Sequence, residues 1–440
     1  MIVKKRLPVA GHASHYRKTL TISPSVIRVG LIGILSPFHI NFLGQIYVGE
    51  IFFLAYLLYI WISKRKIFLP HFTRLFLLFA TGWMLNQMVT DLLRGTPAND
   101  FLRGWASILF LIVDVLGLFY LIRQQLRLWI AFAWGYALGG LVVPLVQPEF
   151  FYAGNSWKFG YADPVILIML LWIADRLNGK SRLSNWWPVI LMLIAMGTYS
   201  FWQDSRRWGG LLWLTATMVI WKLIAKARRR RAHIRWATVV TFVVAAGLIL
   251  QGFVYAANRG WFGEDVKQRT EMHSAQNFGT LGVLLGGRSQ IFVSIQAIAN
   301  APLIGHGSWA KDIQYRYLLY DVQDSLGITN SNLENFITSK NEIPAHSHIL
   351  RAWVWAGILG GIFWIVILWF CIKFLLANLE GRLTNFSPFW IYWGLYSVWD
   401  ILFTPFGGDL RLIWAMRLTS LAGFGAHMVT NVLHQKRSRA

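Results

Sequence analysis

The sequence predicts an all-α polytopic membrane protein with about 12 transmembrane helices and one large, partly helical loop on the outer face. Three observations carry that expectation. Of the 440 residues, 56% are hydrophobic and only 14% are charged. Apolar runs of roughly 20 residues, enough to cross a bilayer, recur along the chain. Basic residues bunch in short loops that alternate along it, as the positive-inside rule requires.

In order, residues 1–25 read as a cytoplasmic tail. Lys4, Lys5 and Arg6 resemble the start of a signal peptide, but no apolar stretch follows until about Val26. Residues 26–257 hold spans 1 to 9. Val26 to Phe42 runs outward, interrupted by Pro37, and Ile46 to Ile62 returns to the basic turn Lys64-Arg65-Lys66. Phe72 to Val89 and Leu102 to Ile122 flank an outer loop of mixed charge, Asp91 to Asp100. Leu128 to Val146 leads to an outer loop with Pro148, Asn155 and Lys158, and Phe159 to Ala174 descends to Arg176, Lys180 and Arg182. Trp186 to Trp202 rises to Asp204-Ser205-Arg206-Arg207, and Trp208 to Ala225 drops to the basic run Arg228 to Arg231. Trp236 to Ala257 opens onto the large loop, 258–346. Residues 347–440 hold spans 10 to 12 (Ser347 to Leu376, Pro388 to Phe403, Leu412 to Val429) and a cytoplasmic tail with Lys436-Arg437.

The formal charge of +23 raises the question of nucleic acid. No basic patch with readout chemistry accompanies it, and the alternation accounts for its placement. The single cysteine, Cys371, excludes an intrachain disulfide and a thiolate metal cluster. Within the large loop, Ile291, Ile295 and Ile298 recur at helical spacing and predict a short amphipathic helix along the membrane surface. Gly305-His306-Gly307 reads as a turn, and Asp321 to Glu342 is polar.

The stretch His346 to Gly361 joins this loop to an apolar run. His346, Leu350, Trp353 and Gly357 share one helical face, and His348 and Arg351 share another. Gly357 and Gly361 have the small-residue spacing that lets another helix come close. Arg206, Arg207, Arg288, His346, His348 and Lys158 all fall on the outer side, against the prevailing charge bias. Paired guanidiniums suit a diphosphate, and a histidine suits general base work. An outer arginine can equally snorkel to lipid phosphates. His306, His346 and His348 match no standard zinc spacing, so no metal or other cofactor is expected. Glu50, Asp114, Asp400 and Arg417, within spans, should face the protein interior, Asp400 pairing with Arg417. Arg411, at the outer start of the last span, either joins a substrate site or anchors.

Three motifs now bear on family. His346-Ser347, nine residues, then Gly357-Ile358-Leu359-Gly360 resembles the signature of the O-antigen ligase family. Gly287-Arg288-Ser289 through Pro302-Leu303-Ile304-Gly305-His306-Gly307 is similar to the family's segment before that histidine, and Ser205-Arg206 with Gly209-Gly210-Leu211 looks like its Ser-Arg segment. The resemblance covers about Trp186 to Phe370. It implies a metal-independent glycosyltransferase of the C-type membrane fold in the bacterial inner membrane, with both termini cytoplasmic. Such enzymes take a glycan from undecaprenyl diphosphate on the periplasmic side and pass it to the lipid A core or, in related polymerases, to a second lipid-linked glycan. Carried over, Arg288 and Arg206 bind the diphosphate and His346 activates the acceptor. Arg207, His348, Arg351, Lys158 and Arg411 are further substrate-binding candidates, and His348 remains an alternative base. Two positions depart from the pattern: Ser347 stands where Asn is frequent, and Tyr161-Ala162-Asp163-Pro164 replaces an Asn-Pro-Asn-like stretch. A lipid-glycan flippase or other transporter is the alternative from another class, but it predicts a repeat between halves that the sequence lacks.

Overall fold

The computed structural model describes residues 23–42, 44–64, 69–178, 183–227, 236–272, 288–326 and 342–425. The tails, the basic runs at 65–68, 179–182 and 228–235, and the polar stretch 327–341 lie outside the described residues. The described chain is overwhelmingly helical, and its only sheet is a two-stranded hairpin.

Helix α1 is Pro24–Leu35, with Pro24 at its first position. At 12 residues it is only roughly 18 Å long, short of a bilayer core of about 30 Å. The first span was expected to continue to Phe42. Instead Pro37 ends the helical stretch, and strands β1 (His39–Asn41) and β2 (Gln45–Tyr47) turn the chain back. Helix α2, Val48–Ile62, follows directly, its Glu50 carboxylate accepting from the Tyr47 N–H at 2.8 Å. Helices α3 (His71–Arg94), α4 (Ala98–Ile122) and α5 (Leu126–Val146) match the next three expected spans. α1 lies against α5 through small residues: a side chain at Gly135 or Gly139 would fall 2.1 Å from the carbonyl oxygen of Gly30 or Ile34. Lipid offers no hydrophobic drive for helices to associate, so close backbone contact supplies the attraction.

After the short helix α6 (Phe150–Gly154), a π-turn at Trp157–Tyr161 leads into α7 (Ala162–Arg176). Helices α8 (Trp187–Trp202), α9 (Arg206–Ala227) and α10 (Trp236–Asn258) follow. The large loop holds α11 (Glu264–Met272), α12 (Gln290–Asn300) and α13 (Ile313–Ser325). The expected amphipathic helix is therefore present as α12. Its packed face, however, is Val293, Ser294 and Ala297, and Ile295 points outward.

The expected tenth span is two helices, α14 (His348–Ala356) and α15 (Ile358–Glu380). Gly357 breaks them at φ +66°, where a side chain would lie 2.1 Å from the Leu303 carbonyl oxygen. The close approach at Gly357 is thus to the Leu303–Ile304 loop, and Gly361 faces the Trp353 ring of its own segment, rather than another helix in either case. Helices α16 (Ser387–Phe403) and α17 (Arg411–Ser420) complete the set. Every residue of α17 is buried, so it is the axis of the bundle.

Among the described residues, five segments (Ala98–Ile122, Leu126–Val146, Trp157–Arg176, Arg206–Ala227 and Ile358–Glu380) are long and apolar enough to cross a bilayer. Leu54, Leu58, Leu85, Leu109 and Leu191 point away from the protein, as side chains solvated by lipid do. The segments read as outer loops meet at one end of the bundle. His39 of the hairpin bonds Gln147, Asn155 bonds the Gln203 carbonyl, Ser308 bonds Asp91, and Arg207 bonds Asp400.

Candidate functional site

The charges placed inside spans have the expected fate. Glu50, Asp114, Asp400 and Arg417 are wholly buried. Arg417 Nη1 donates to Asp400 Oδ2 at 2.8 Å, the predicted pair. Asp400 is shared: its Oδ1 also accepts from Arg207 Nη1 at 3.2 Å and from Thr404 Oγ1 at 3.0 Å. Arg417 stacks over the Tyr396 ring at 3.8 Å, and Tyr396 OH donates to Asp163 Oδ2 at 3.0 Å. Asp163, the departure from the Asn-Pro-Asn-like pattern, is therefore wired to the site floor.

Arg288 lies above this floor. Its guanidinium sits 5.3 Å from the Phe403 ring and 5.8 Å from Trp399, one turn apart on α16. No described residue gives it a hydrogen bond or a carboxylate within ion-pair distance. Burial, then the nearby Arg207 charge, pull its pKa below the usual arginine value. Arg207 and Arg288 are thus near enough for their charges to act on each other. Arg288 has no carboxylate of its own among the described residues, while Asp400 and Asp163 serve Arg207 and Arg417, which leaves a net positive charge suited to a polyanion.

His346 precedes α14. Ser347 is the N-cap, its Oγ accepting from the Leu350 N–H at 3.4 Å and donating to the Ile401 carbonyl at 2.9 Å. His346 consequently lies outside the helix rather than on its face with Leu350 and Trp353. Its ring is half-buried and has no hydrogen-bond partner among the described residues. Burial first, then Arg288 and Arg351, push its pKa down to about 4, so it is a neutral imidazole at neutral pH.

The other candidates divide. Arg207, rather than Arg206, neighbours Arg288. Arg206 faces the large loop, donating to Thr270 Oγ1 at 3.1 Å, pairing with Asp204 at 3.7 Å and lying over Phe253. His348 is wholly buried among Trp364, Phe406 and Trp414. Its Nδ1–H meets the Thr404 carbonyl and its Nε2 accepts from Trp414 Nε1, so it has no lone pair left for a substrate proton. Arg411 anchors: it grips Glu50 through Nε at 2.6 Å and Nη2 at 3.2 Å, both side chains buried. Lys158 sits on the α6–α7 connection, its backbone N–H held by Asn155 Oδ1 and its ammonium over Phe159. Arg351 donates to the Phe406 carbonyl at 3.3 Å and lies over Trp355. His306 spends Nε2 on the Ala297 carbonyl at 2.8 Å.

Trp399 and Phe403 were not predicted, although their four-residue spacing near the end of α16 was a usable signal for a cation seat. A cavity of about 340 Å³ lined by Trp134, Asn178 and Asn385 lies at the opposite end of the bundle and touches none of these residues. Compared with known proteins, the chain matches no protein-family model and no curated protein.

Proposed function

We propose that this protein is an O-antigen ligase-type glycosyltransferase, moving a glycan from undecaprenyl diphosphate to an acceptor, the lipid A core, on the periplasmic face of the bacterial inner membrane. The observation that carries the reading is His346: a neutral imidazole near the Arg288 guanidinium, neither of them having a hydrogen-bond partner among the described residues. About 12 spans with both termini cytoplasmic accord with the alternation of basic loops.

The chemistry follows from those groups. The donor diphosphate binds Arg288 and Arg207. An acceptor hydroxyl oxygen attacks the anomeric carbon, and the bond from that carbon to the diphosphate oxygen breaks, its electron pair leaving with the diphosphate. The hydroxyl proton passes to His346. The guanidiniums meet the charge that grows on the leaving group, where preorganised donors are worth most. Base catalysis of this kind contributes about 10²–10⁴-fold. The diphosphate also offsets the charges that depress His346, so donor binding strengthens the base it needs.

A polysaccharide polymerase, with a second lipid-linked glycan as acceptor, uses the same groups. The test is transfer by purified protein from undecaprenyl-diphosphate glycan to either acceptor. His346→Ala and Arg288→Ala should abolish transfer and leave expression intact; normal transfer by either variant overturns the reading.

A further inference from the structure

Arg288 and Arg207 do not exhaust the outer cations around His346. Arg351 also acts on His346, and Arg351 in turn faces Arg103, at the start of α4. Both guanidiniums lie against one indole: Arg103 is 4.4 Å and Arg351 5.7 Å from the Trp309 ring. Trp355 adds a second ring, its centroid 4.3 Å from that of Trp309. Trp309 holds this position at φ +49°, a conformation costly for a bulky side chain and concentrated where surrounding structure imposes it.

Among the described residues, no carboxylate comes within ion-pair distance of Arg103 or Arg351. Glu342 and Asp409 act on Arg351 only from farther away, and the nearby Asp100 is taken by Lys311 at 3.0 Å. Like charges gathered on an aromatic plate and left without counter-ions fit an anionic ligand that carries a flat or ring-shaped neighbour. We infer that Arg103, Trp309 and Arg351 form a second anion-binding subsite, which receives the phosphate-bearing acceptor glycan on the Arg351 flank of His346.

The inference rests on the proposed glycosyl transfer for the word acceptor, though not for the anion. Two phosphorylated glycolipids brought to one histidine repel each other, and separate cation clusters remove that cost. The Trp309 indole, held between Arg103 and Trp355, keeps the two guanidiniums in place for the phosphate while the sugar rests beside this aromatic pair. Two sources share this chemistry: a second polyprenyl-diphosphate glycan and the phosphorylated lipid A core.

Native mass spectrometry of the full-length protein in detergent separates them, with undecaprenyl diphosphate and purified phosphorylated lipid A core as probes. Wild type should hold two phosphorylated lipids. R103Q/R351Q should lose one of them, R288Q the other, and R103K should keep both. If the lipid lost from R103Q/R351Q is the core, the acceptor is the core; if it is a second undecaprenyl diphosphate, the acceptor is lipid-linked glycan. In transfer assays, Trp309→Leu should raise the acceptor KM at least tenfold and leave the donor KM within about twofold. A single bound lipid in wild type, or two retained in R103Q/R351Q, overturns the subsite. Two lipids lost as stated without any transfer overturns glycosyl transfer and leaves the subsite standing.

Discussion

Trp414 donates its indole N–H to Nε2 of His348 at 2.8 Å, which fixes the neighbouring histidine of the His346-Ser347-His348 motif as a buried structural group. The bond determines the tautomer: Nε2 accepts, so the proton is on Nδ1, directed at the Thr404 carbonyl. His348 thereby ties α14 to the ends of α16 and α17. His348→Ala leaves Trp414 Nε1 buried and unpaired and opens a cavity, a loss on the order of 1–3 kcal/mol for the orphaned donor alone. Thermal unfolding in detergent should show this as a lowered midpoint. His346→Gln should unfold with wild type and fail in transfer. The reverse pattern, an inactive but stable His348 variant, would identify His348 as the base.

Arg207 and Arg206 offer a second contrast. Arg207→Ala removes a guanidinium beside Arg288 and leaves Asp400 to Arg417 and Thr404. Transfer should fall by about 10²–10³-fold, the usual consequence of deleting one transition-state donor. Arg206→Ala should fall by less than tenfold, since its contacts run to Asp204, Thr270 and Phe253. Steady-state rates for the two variants decide the matter, and a larger loss for Arg206→Ala reassigns the diphosphate clamp.

Arg411 and Glu50 are 361 residues apart in sequence and form a buried bidentate pair. Removing one partner strands the other charge, which costs about 3–5 kcal/mol. Arg411→Ala should therefore lower the unfolding midpoint sharply, and the donor and acceptor KM of whatever remains folded should be unchanged. An Arg411 variant of normal stability with a raised substrate KM would return this residue to the binding site.

Much of this was legible beforehand, for identifiable reasons. Runs of apolar residues punctuated by basic turns locate α3 to α5 and α7 to α10, because a bilayer imposes length and charge rules that the sequence must obey. Asp400 and Arg417 could be paired in advance because an intramembrane charge needs a partner and these lie on successive spans. Arg411 had no such guide, its partner being distant in the chain. The choice between Arg206 and Arg207 was likewise invisible: consecutive helical residues point roughly 100° apart, and no periodicity at a helix's first turn says which direction faces the site. Gly357 read as a packing glycine, whereas it is a break with positive φ, because spacing cannot distinguish a close approach from a turn. The short α1 reflects Pro37 and a hairpin that local propensity alone did not announce.

The pH dependence tests His346 most directly. Its pKa in the folded protein is about 4, below the ordinary 6.5, through burial, Arg288 and Arg351. Between those values the unfolded chain takes up a proton that the folded one refuses. The stabilisation from keeping His346 neutral is thus complete above about pH 6.5 and is lost as the pH falls toward 4. For catalysis, kcat/KM reports the free enzyme, so its acid limb should lie near 4 rather than 6.5. The kcat profile reports the bound state, where the donor diphosphate offsets the guanidiniums, and its limb should lie higher. Arg351→Gln removes one depressing charge and should move the kcat/KM limb upward. A limb at 6.5 in wild type, unmoved by Arg351→Gln, would mean that the titrating base is a different group and that His346 serves only to hold the acceptor.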